Sequence, residues 1–211
     1  MKTDGIILDV DGTLWDATPI AAEGYNDAIA ARGMASPHVT AEQLRSLFGR
    51  PIPAIADAVF PSLTPDNRYA LIEECMKYQG KRLLETRQDM LYSGVADTIR
   101  ALASQVPLFI VSNCQAGYIE IFLEKSGLTP FIRDHVCPAD TGLVKGPNIR
   151  LIMDRYQLKK PVYVGDIDAD RIATEEAGAA FCYASYGYGE AQRADYVIDT
   201  FADLYTLFLE R

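Results

Sequence analysis

A chain of 211 residues with 49% hydrophobic and 23% charged side chains can bury a full core, either as one large domain or as a core with an insert. Its 29 acidic residues outnumber its 20 basic ones, and the net charge of -9 repels nucleic acid and anionic membranes, which excludes both as expected partners. Cys75, Cys114, Cys137 and Cys182 form no Cys-x-x-Cys pair, so neither a zinc site nor a disulfide framework is predicted and the four read as reduced core thiols.

In chain order, Lys2 and Asp4 leave no apolar leader after Met1 and no later run reaches membrane-spanning length, so the cytoplasm is the expected location. Gly5-Ile6-Ile7-Leu8 is short, apolar and β-branched, the pattern of a strand buried on both faces in a parallel sheet. Asp9-Val10-Asp11-Gly12-Thr13 follows at its carboxyl end, where ligands bind in open α/β sheets. Thr18 to Arg32 carries Ile20, Ala21, Tyr25, Ala28 and Ile29 along one helical stripe, closed by Gly33. Thr40 with Gln43 predicts an N-cap and a shorter helix through Phe48, ending at Gly49. A proline-punctuated region (Pro51, Pro53, Pro61, Pro65) leads into a long helix from Asp66 to Arg87. With no strand between Thr18 and Arg87, this block reads as an inserted helical domain at 16–87, flanked by an α/β core at 1–15 and 88–211.

From there helix and strand alternate. A helix opens at Gly94 and runs to Ala103, a buried strand covers Pro107 to Val111, and a helix spans Gly117 to Ser126. Val136-Cys137 reads as a short strand, Thr141-Gly142 as a turn, and Pro147 as the first residue of a helix to Tyr156. Pro161 to Val164 is a third buried strand, followed by a helix from Asp170 to Ala177. Strands at Ala180 to Ala184 and Tyr196 to Ile198 and a helix from Phe201 to Leu209 complete the chain. The alternation predicts an α/β fold with a doubly wound parallel sheet.

Three buried strands end in polar clusters: Asp9/Asp11, Ser112/Asn113 and Asp166/Asp168/Asp170. If these strands are neighbours, the carboxylates crowd one small volume, and Lys145 alone is too little countercharge. Hard oxygen ligands with few nitrogen or thiolate candidates nearby suit Mg²⁺, which takes one or two carboxylates together with water and a substrate phosphate. Taken singly, each cluster also has a plain reading: Asp-Gly as a turn, Ser-Asn as a helix cap, Lys145 as a solvated side chain.

In this order and spacing the four clusters resemble the phosphatase branch of the haloacid dehalogenase superfamily, with a helical cap after the first motif. Asp9-Val10-Asp11-Gly12-Thr13 is similar to the first motif, Ser112-Asn113 to the second, Lys145 to the third, and Gly165-Asp166 with Asp170 to the fourth. The resemblance implies a Mg²⁺-dependent phosphatase in which Asp9 is the nucleophile and forms an aspartyl-phosphate. Asp11 would be the acid and base, and Thr13, Ser112, Asn113 and Lys145 would bind phosphate. It implies metal ligation by Asp9, Asp166, Asp170 and the backbone carbonyl of Asp11, with Asp170 placing Lys145 or a metal-bound water. Ile167 and Gly146-Pro147 depart from the family's usual residues at those points.

Leu47-Phe48-Gly49-Arg50-Pro51 resembles the cap loop that chooses substrate in related phosphatases, so Gly49 and Arg50 are the expected specificity residues. Arg50 would meet a second anion on a small phosphorylated metabolite, with a phosphoglycolate-like carboxylate favoured. The plain reading is a helix terminator and a solvated arginine. A phosphomutase acting on a sugar phosphate, or a non-catalytic regulatory protein on the same fold, is the alternative function. A dehalogenase would not need Asp11. The expected assembly is a monomer or weak homodimer. Asp168 reads as solvated or supporting, His38 and His135 as surface residues, and Tyr186-Gly187-Tyr188-Gly189 as a turn. The first strand lacks a Gly-x-Gly-x-x-Gly sequence after it, which disfavours a dinucleotide.

Overall fold

The computed structural model describes residues 3–208; Met1, Lys2, Leu209, Glu210 and Arg211 lie outside them, including the last residue of the predicted final helix. The described chain divides into two compact units, one of residues 1–16 and 91–211, the other of residues 17–90.

In the first unit, six parallel strands lie in the order β3-β2-β1-β4-β5-β6. They are β1 (Ile6–Leu8), β2 (Leu108–Val111), β3 (Asp134–Val136), β4 (Val162–Gly165), β5 (Ala180–Ala184) and β6 (Tyr196–Ile198). Every residue of β1, β2 and β4 is buried, as expected of strands covered by helices on both faces. Leu8 is in register with Ile110 of β2 and Val164 of β4, so the three strands end side by side. The chain leaves β1 toward β2 and β3, then returns to β4 on the other side of β1. That reversal opens a crevice at the carboxyl ends, where such sheets bind ligands.

Helices α5 (Val95–Ala103), α6 (Tyr118–Ser126), α7 (Pro138–Thr141), α8 (Lys145–Tyr156) and α9 (Asp168–Ala177) connect the strands, and α10 (Asp203–Phe208) follows β6. Three details differ from the sequence reading. The short third strand lies earlier, at Asp134–Val136, and α7 occupies the position read as a turn at Thr141-Gly142. Helix α8 begins at Lys145, which places Pro147 inside the first turn, where its missing N–H costs no helical bond. Lys145 therefore sits on a helix start and not in a loop.

In the second unit, α1 (Thr18–Ala31), α2 (Ala41–Arg45), α3 (Ile52–Val59) and α4 (Pro65–Glu85) form an all-helical group. Helices α1 and α4 run antiparallel, because Arg32 pairs with Glu74 while Arg82 pairs with Asp27 and Glu23. Gly24 permits their close approach: a Cβ there would lie 2.6 Å from the backbone nitrogen of Gln79. Helix α3 was hidden by its prolines, which occupy the cap and first turn and do not interrupt the helix. Helix α2 stops at Arg45, three residues before the predicted end, and the chain continues in turns to Gly49, whose φ is 86°. Among the described residues no helix is long and apolar enough to cross a membrane.

Candidate active site

The turn after β1 is wound tightly, with the N–H of Leu14 donating to Val10 at 2.8 Å and that of Gly12 donating to Trp15 at 3.0 Å. Gly12 has φ 79°, and a Cβ there would overlap the Asp166 carboxylate, so glycine is required for the first and fourth clusters to meet. Asp9, Ser112 and Asp166, from the ends of β1, β2 and β4, are brought together and are all buried.

Lys145 reaches the cluster from α8. Its Nζ lies 2.5 Å from Asp170 Oδ1, 3.2 Å from Asp9 Oδ1 and 5.7 Å from the centroid of the Tyr163 ring. Burial alone would favour a neutral amine, but Asp170 and Asp9 outweigh it and hold Lys145 protonated, its pKa well above the ordinary lysine value. Despite the 3.2 Å approach, Asp9 Oδ1 is a buried oxygen with no aligned hydrogen-bond donor. Burial pushes the Asp9 carboxyl up to about 6, and the Asp170 charge adds to this; Lys145 and the Ser112 hydroxyl work in the opposite direction. Asp166 is likewise raised, first by burial and then by Asp170 and Asp9.

Asp170 has both oxygens engaged. While Oδ1 takes Lys145, Oδ2 accepts the backbone N–H of Asp166 at 3.0 Å and of Ile167 at 3.2 Å, closing the start of α9. Asp11 faces a different set of groups: Tyr118 Oη donates to its Oδ1 at 2.6 Å and Trp15 Nε1 donates at 3.0 Å. Its pKa is pushed up to about 7, chiefly by burial, with Asp9 adding and the two donors opposing.

The donor set fits a magnesium ion. Carboxylate oxygens of Asp9, Asp166 and Asp170 lie within 4.8 Å of one another, all are hard oxygen ligands, and the Asp9 carboxylate has one oxygen without a hydrogen-bond partner. The Asp11 side chain is not in this cluster.

Thr13, expected to face phosphate, turns inward: its N–H donates to Val10 at 3.3 Å and its hydroxyl points at Asp166 Oδ1 at 3.5 Å. Asn113 is half-buried beside Ser112. Asp168 forms an ion pair with Arg171 at 2.6 Å, which lowers its pKa to about 2, and takes no part in the carboxylate cluster. Gly49 and Arg50 belong to the helical unit, where Arg50 is exposed. His38 is exposed as expected, but His135 is half-buried on β3 and its Nδ1 has no partner.

Sequence reasoning missed the loop after β5. Tyr188 N–H donates to Asp166 Oδ2 at 2.7 Å, Tyr186 Oη donates to the Thr13 carbonyl at 2.8 Å, and Tyr188 Oη bonds Asp16 Oδ1 at 2.9 Å. A Cβ on Gly187 would overlap Asp166, so Asp166 is held in a slot between two glycines, Gly12 and Gly187. It also missed Tyr118, Trp15 and Asn148. The last of these braces the approach to α8 by donating to the Leu143 carbonyl at 3.0 Å and accepting from the Thr141 hydroxyl at 2.7 Å. The glycine spacing of Tyr186-Gly187-Tyr188-Gly189 was the one available signal for the loop.

The chain matches the haloacid dehalogenase-like hydrolase family over residues 6–184 and belongs to it; the protein is a hydrolase. It is similar to the phosphoglycolate phosphatase of Photobacterium profundum, 29% identical over 215 residues covering 94% of this chain and 93% of that one. It is also similar to the phosphoglycolate phosphatase of Rhodobacter capsulatus, 26% identical over 188 residues covering 87% and 84%. Its fold resembles the crystal structure of a predicted phosphoglycolate phosphatase from Haemophilus somnus, with a TM-score of 0.86, 22% identity and 98% of each chain covered.

Two outcomes follow from the site's packing and charge. The native pKa values of Asp9, Asp11 and Asp166 lie above the ordinary carboxylate value of about 4, so without metal the folded state binds more protons than the unfolded state between about pH 4 and pH 7. This contribution to stability is present below that window and is lost as pH rises through it. Thermal melting in metal-free buffer should show Asp11→Asn gaining on the wild type from pH 4 to pH 8; a constant difference would contradict the raised Asp11. Gly187→Ala should destabilise the protein by about 1–3 kcal/mol in urea denaturation, because backbone ties prevent the loop from moving off Asp166.

Proposed function

We propose that the protein is a Mg²⁺-dependent phosphatase acting on a small phosphate monoester through an aspartyl-phosphate on Asp9. The observation that carries this reading is the buried Asp9 carboxylate, with Oδ1 free of any aligned donor, beside a protonated lysine at the carboxyl end of β1. A carboxylate so placed is desolvated and oriented, as a nucleophile needs to be. The similarity to phosphoglycolate phosphatases supports the same chemistry.

In this reading an oxygen of Asp9 attacks phosphorus, and Asp11 gives a proton to the departing alcohol. Asp11 then takes a proton from the water that hydrolyses the aspartyl-phosphate. A pKa near 7 suits a group that must both give and take a proton. Lys145 and Ser112 hold phosphoryl oxygens, and Lys145 offsets charge that builds in the transition state. Asn113 completes the phosphate-facing wall, while Thr13, turned toward Asp166, supports the site from behind. Asp9, Asp166 and the Asp11 carbonyl would hold the metal, with Asp170 beside it. When bound, Mg²⁺ offsets the charge of the carboxylates and of the substrate phosphate. Asp170 serves chiefly to fix Lys145, since both of its oxygens are already engaged.

The helical unit at 17–90 is proposed as the cap that chooses the substrate, with Gly49 and Arg50 as its reading residues. The favoured substrate carries a carboxylate near its phosphate, as phosphoglycolate does.

Chelation with EDTA should abolish hydrolysis of p-nitrophenyl phosphate and added Mg²⁺ should restore it. Asp9→Asn should remove turnover while melting as a folded protein, and beryllofluoride should form its adduct on Asp9; an adduct on any other residue would overturn the mechanism. Arg50→Ala, assayed on a panel of phosphate monoesters, should lose about 2 to 4 kcal/mol of specificity for those bearing a second anion relative to simple aryl phosphates. Equal losses across the panel would assign Arg50 to the fold of the helical unit instead.

A further inference from the structure

The chemistry proposed above leaves unexplained why two buried aromatic residues grip Asp11. Tyr118, the first residue of α6, and Trp15, at the end of the β1 turn, both donate to the same oxygen, Oδ1. Their rings are fixed edge to face, with centroids 5.7 Å apart at 70°. Phe122, one turn further along α6, also packs edge to face with Trp15, at 5.0 Å and 83°. Neither donor can readily swing away, because both residues are about 1% exposed.

The two donors are not equivalent. A phenol hydroxyl can turn to accept a proton, but an indole N–H can only donate. Trp15 therefore obliges Oδ1 to act as an acceptor, and Tyr118 adds a second bond of the same sense. An oxygen receiving two hydrogen bonds is a poor place for a proton directed at a third group. The proton of a neutral Asp11 then belongs on Oδ2. Without the donors, the terminal carboxyl torsion is broad and roughly two-fold, so the two oxygens would exchange.

We propose that Trp15 and Tyr118 are positioning residues that select the proton-carrying oxygen of Asp11, locking Oδ1 as acceptor and presenting Oδ2 to the leaving oxygen of the substrate. The inference rests on the reading of Asp11 as general acid and adds the atom through which it works. In the step concerned, an Asp9 oxygen forms a bond to phosphorus while the ester P–O bond breaks. The electron pair of the broken bond takes the proton from Asp11 Oδ2, leaving an alcohol, an aspartyl-phosphate and an ionised Asp11. A basic alkoxide leaving group depends on this transfer, whereas p-nitrophenolate departs without much help.

The test compares kcat/KM for a primary alkyl phosphate and for p-nitrophenyl phosphate, since this ratio reports the steps up to departure of the alcohol. Tyr118→Phe and Trp15→Phe each keep an aromatic ring and remove one donor. Each should lower the alkyl value about tenfold more than the p-nitrophenyl value, and Asp11→Asn should widen that gap further. Equal losses on both esters in both aromatic variants, with Asp11→Asn still separating the esters, would overturn the inference and leave the pair as packing. If Asp11→Asn does not separate them, the general-acid reading falls and this inference falls with it. Should one aromatic variant fail to fold, the other decides. Trp15 is the chain's only tryptophan, so its fluorescence supplies a second readout without substrate. Asp11→Ala should shift its emission by removing the acceptor, and an unchanged spectrum would overturn the proposed contact.

Discussion

Several carboxylates are buried in this protein around a single ammonium group, and the local structure follows from that imbalance. Lys145 is held by Asp170 and Asp9, all three nearly out of water. Removing one member of such a buried pair leaves an uncompensated charge and costs about 3–5 kcal/mol. The same Asp170 carboxylate closes the first turn of α9 through the Asp166 and Ile167 amides, so the charge balance and the helix start depend on one side chain. Gly165, the residue before Asp166, has no room for a Cβ because Asp170 occupies that space. The fourth cluster is thus a packing unit as well as a set of ligands.

The sheet order determines which residues share this environment. Because β1 lies between β2 and β4, the ends of three strands distant in sequence become neighbours, and α8 delivers Lys145 from outside the sheet. Asp9 and Asp11, two residues apart, enter different surroundings. Asp9 faces lysine and the other carboxylates, while Asp11 faces an indole and a phenol. Both carboxyls are raised by burial, but Asp9 keeps a bare buried oxygen beside Lys145, whereas both donors to Asp11 converge on its Oδ1. In the proposed reaction, that asymmetry gives the two carboxylates their different parts.

Much of the core was legible in the sequence because unbroken β-branched runs such as Ile6 to Leu8 and Val162 to Val164 have few alternatives in an alternating α/β pattern. The polar clusters at their ends were legible for the same reason: a carboxylate directly after a buried strand has to face the crevice. Helix starts were harder. Pro147 suggested a start two residues late, since proline is acceptable anywhere in the first turn, and the prolines around α3 looked like breaks when they were caps. Thr13 carries a hydroxyl suited to phosphate, but the tightness of its turn directs it toward Asp166. The grip of Tyr118 on Asp11 spans 107 positions, and no local pattern could announce it.

The slot that holds Asp166 has a consequence for how the chain matures. Its walls are Gly12, near the beginning, and Gly187, near the end, and the bond from Tyr186 to the Thr13 carbonyl spans 173 positions. Contacts of such separation carry the largest loop-closure cost and form late. During synthesis, β1 can pair with β2 well before the Tyr186-Gly187-Tyr188 segment leaves the ribosome, yet the seat of Asp166 stays open until that segment arrives. The growing chain therefore acquires its sheet first and its finished carboxylate cluster last, so the acid-lined crevice stands incomplete until the Tyr186-Gly187-Tyr188 segment folds in.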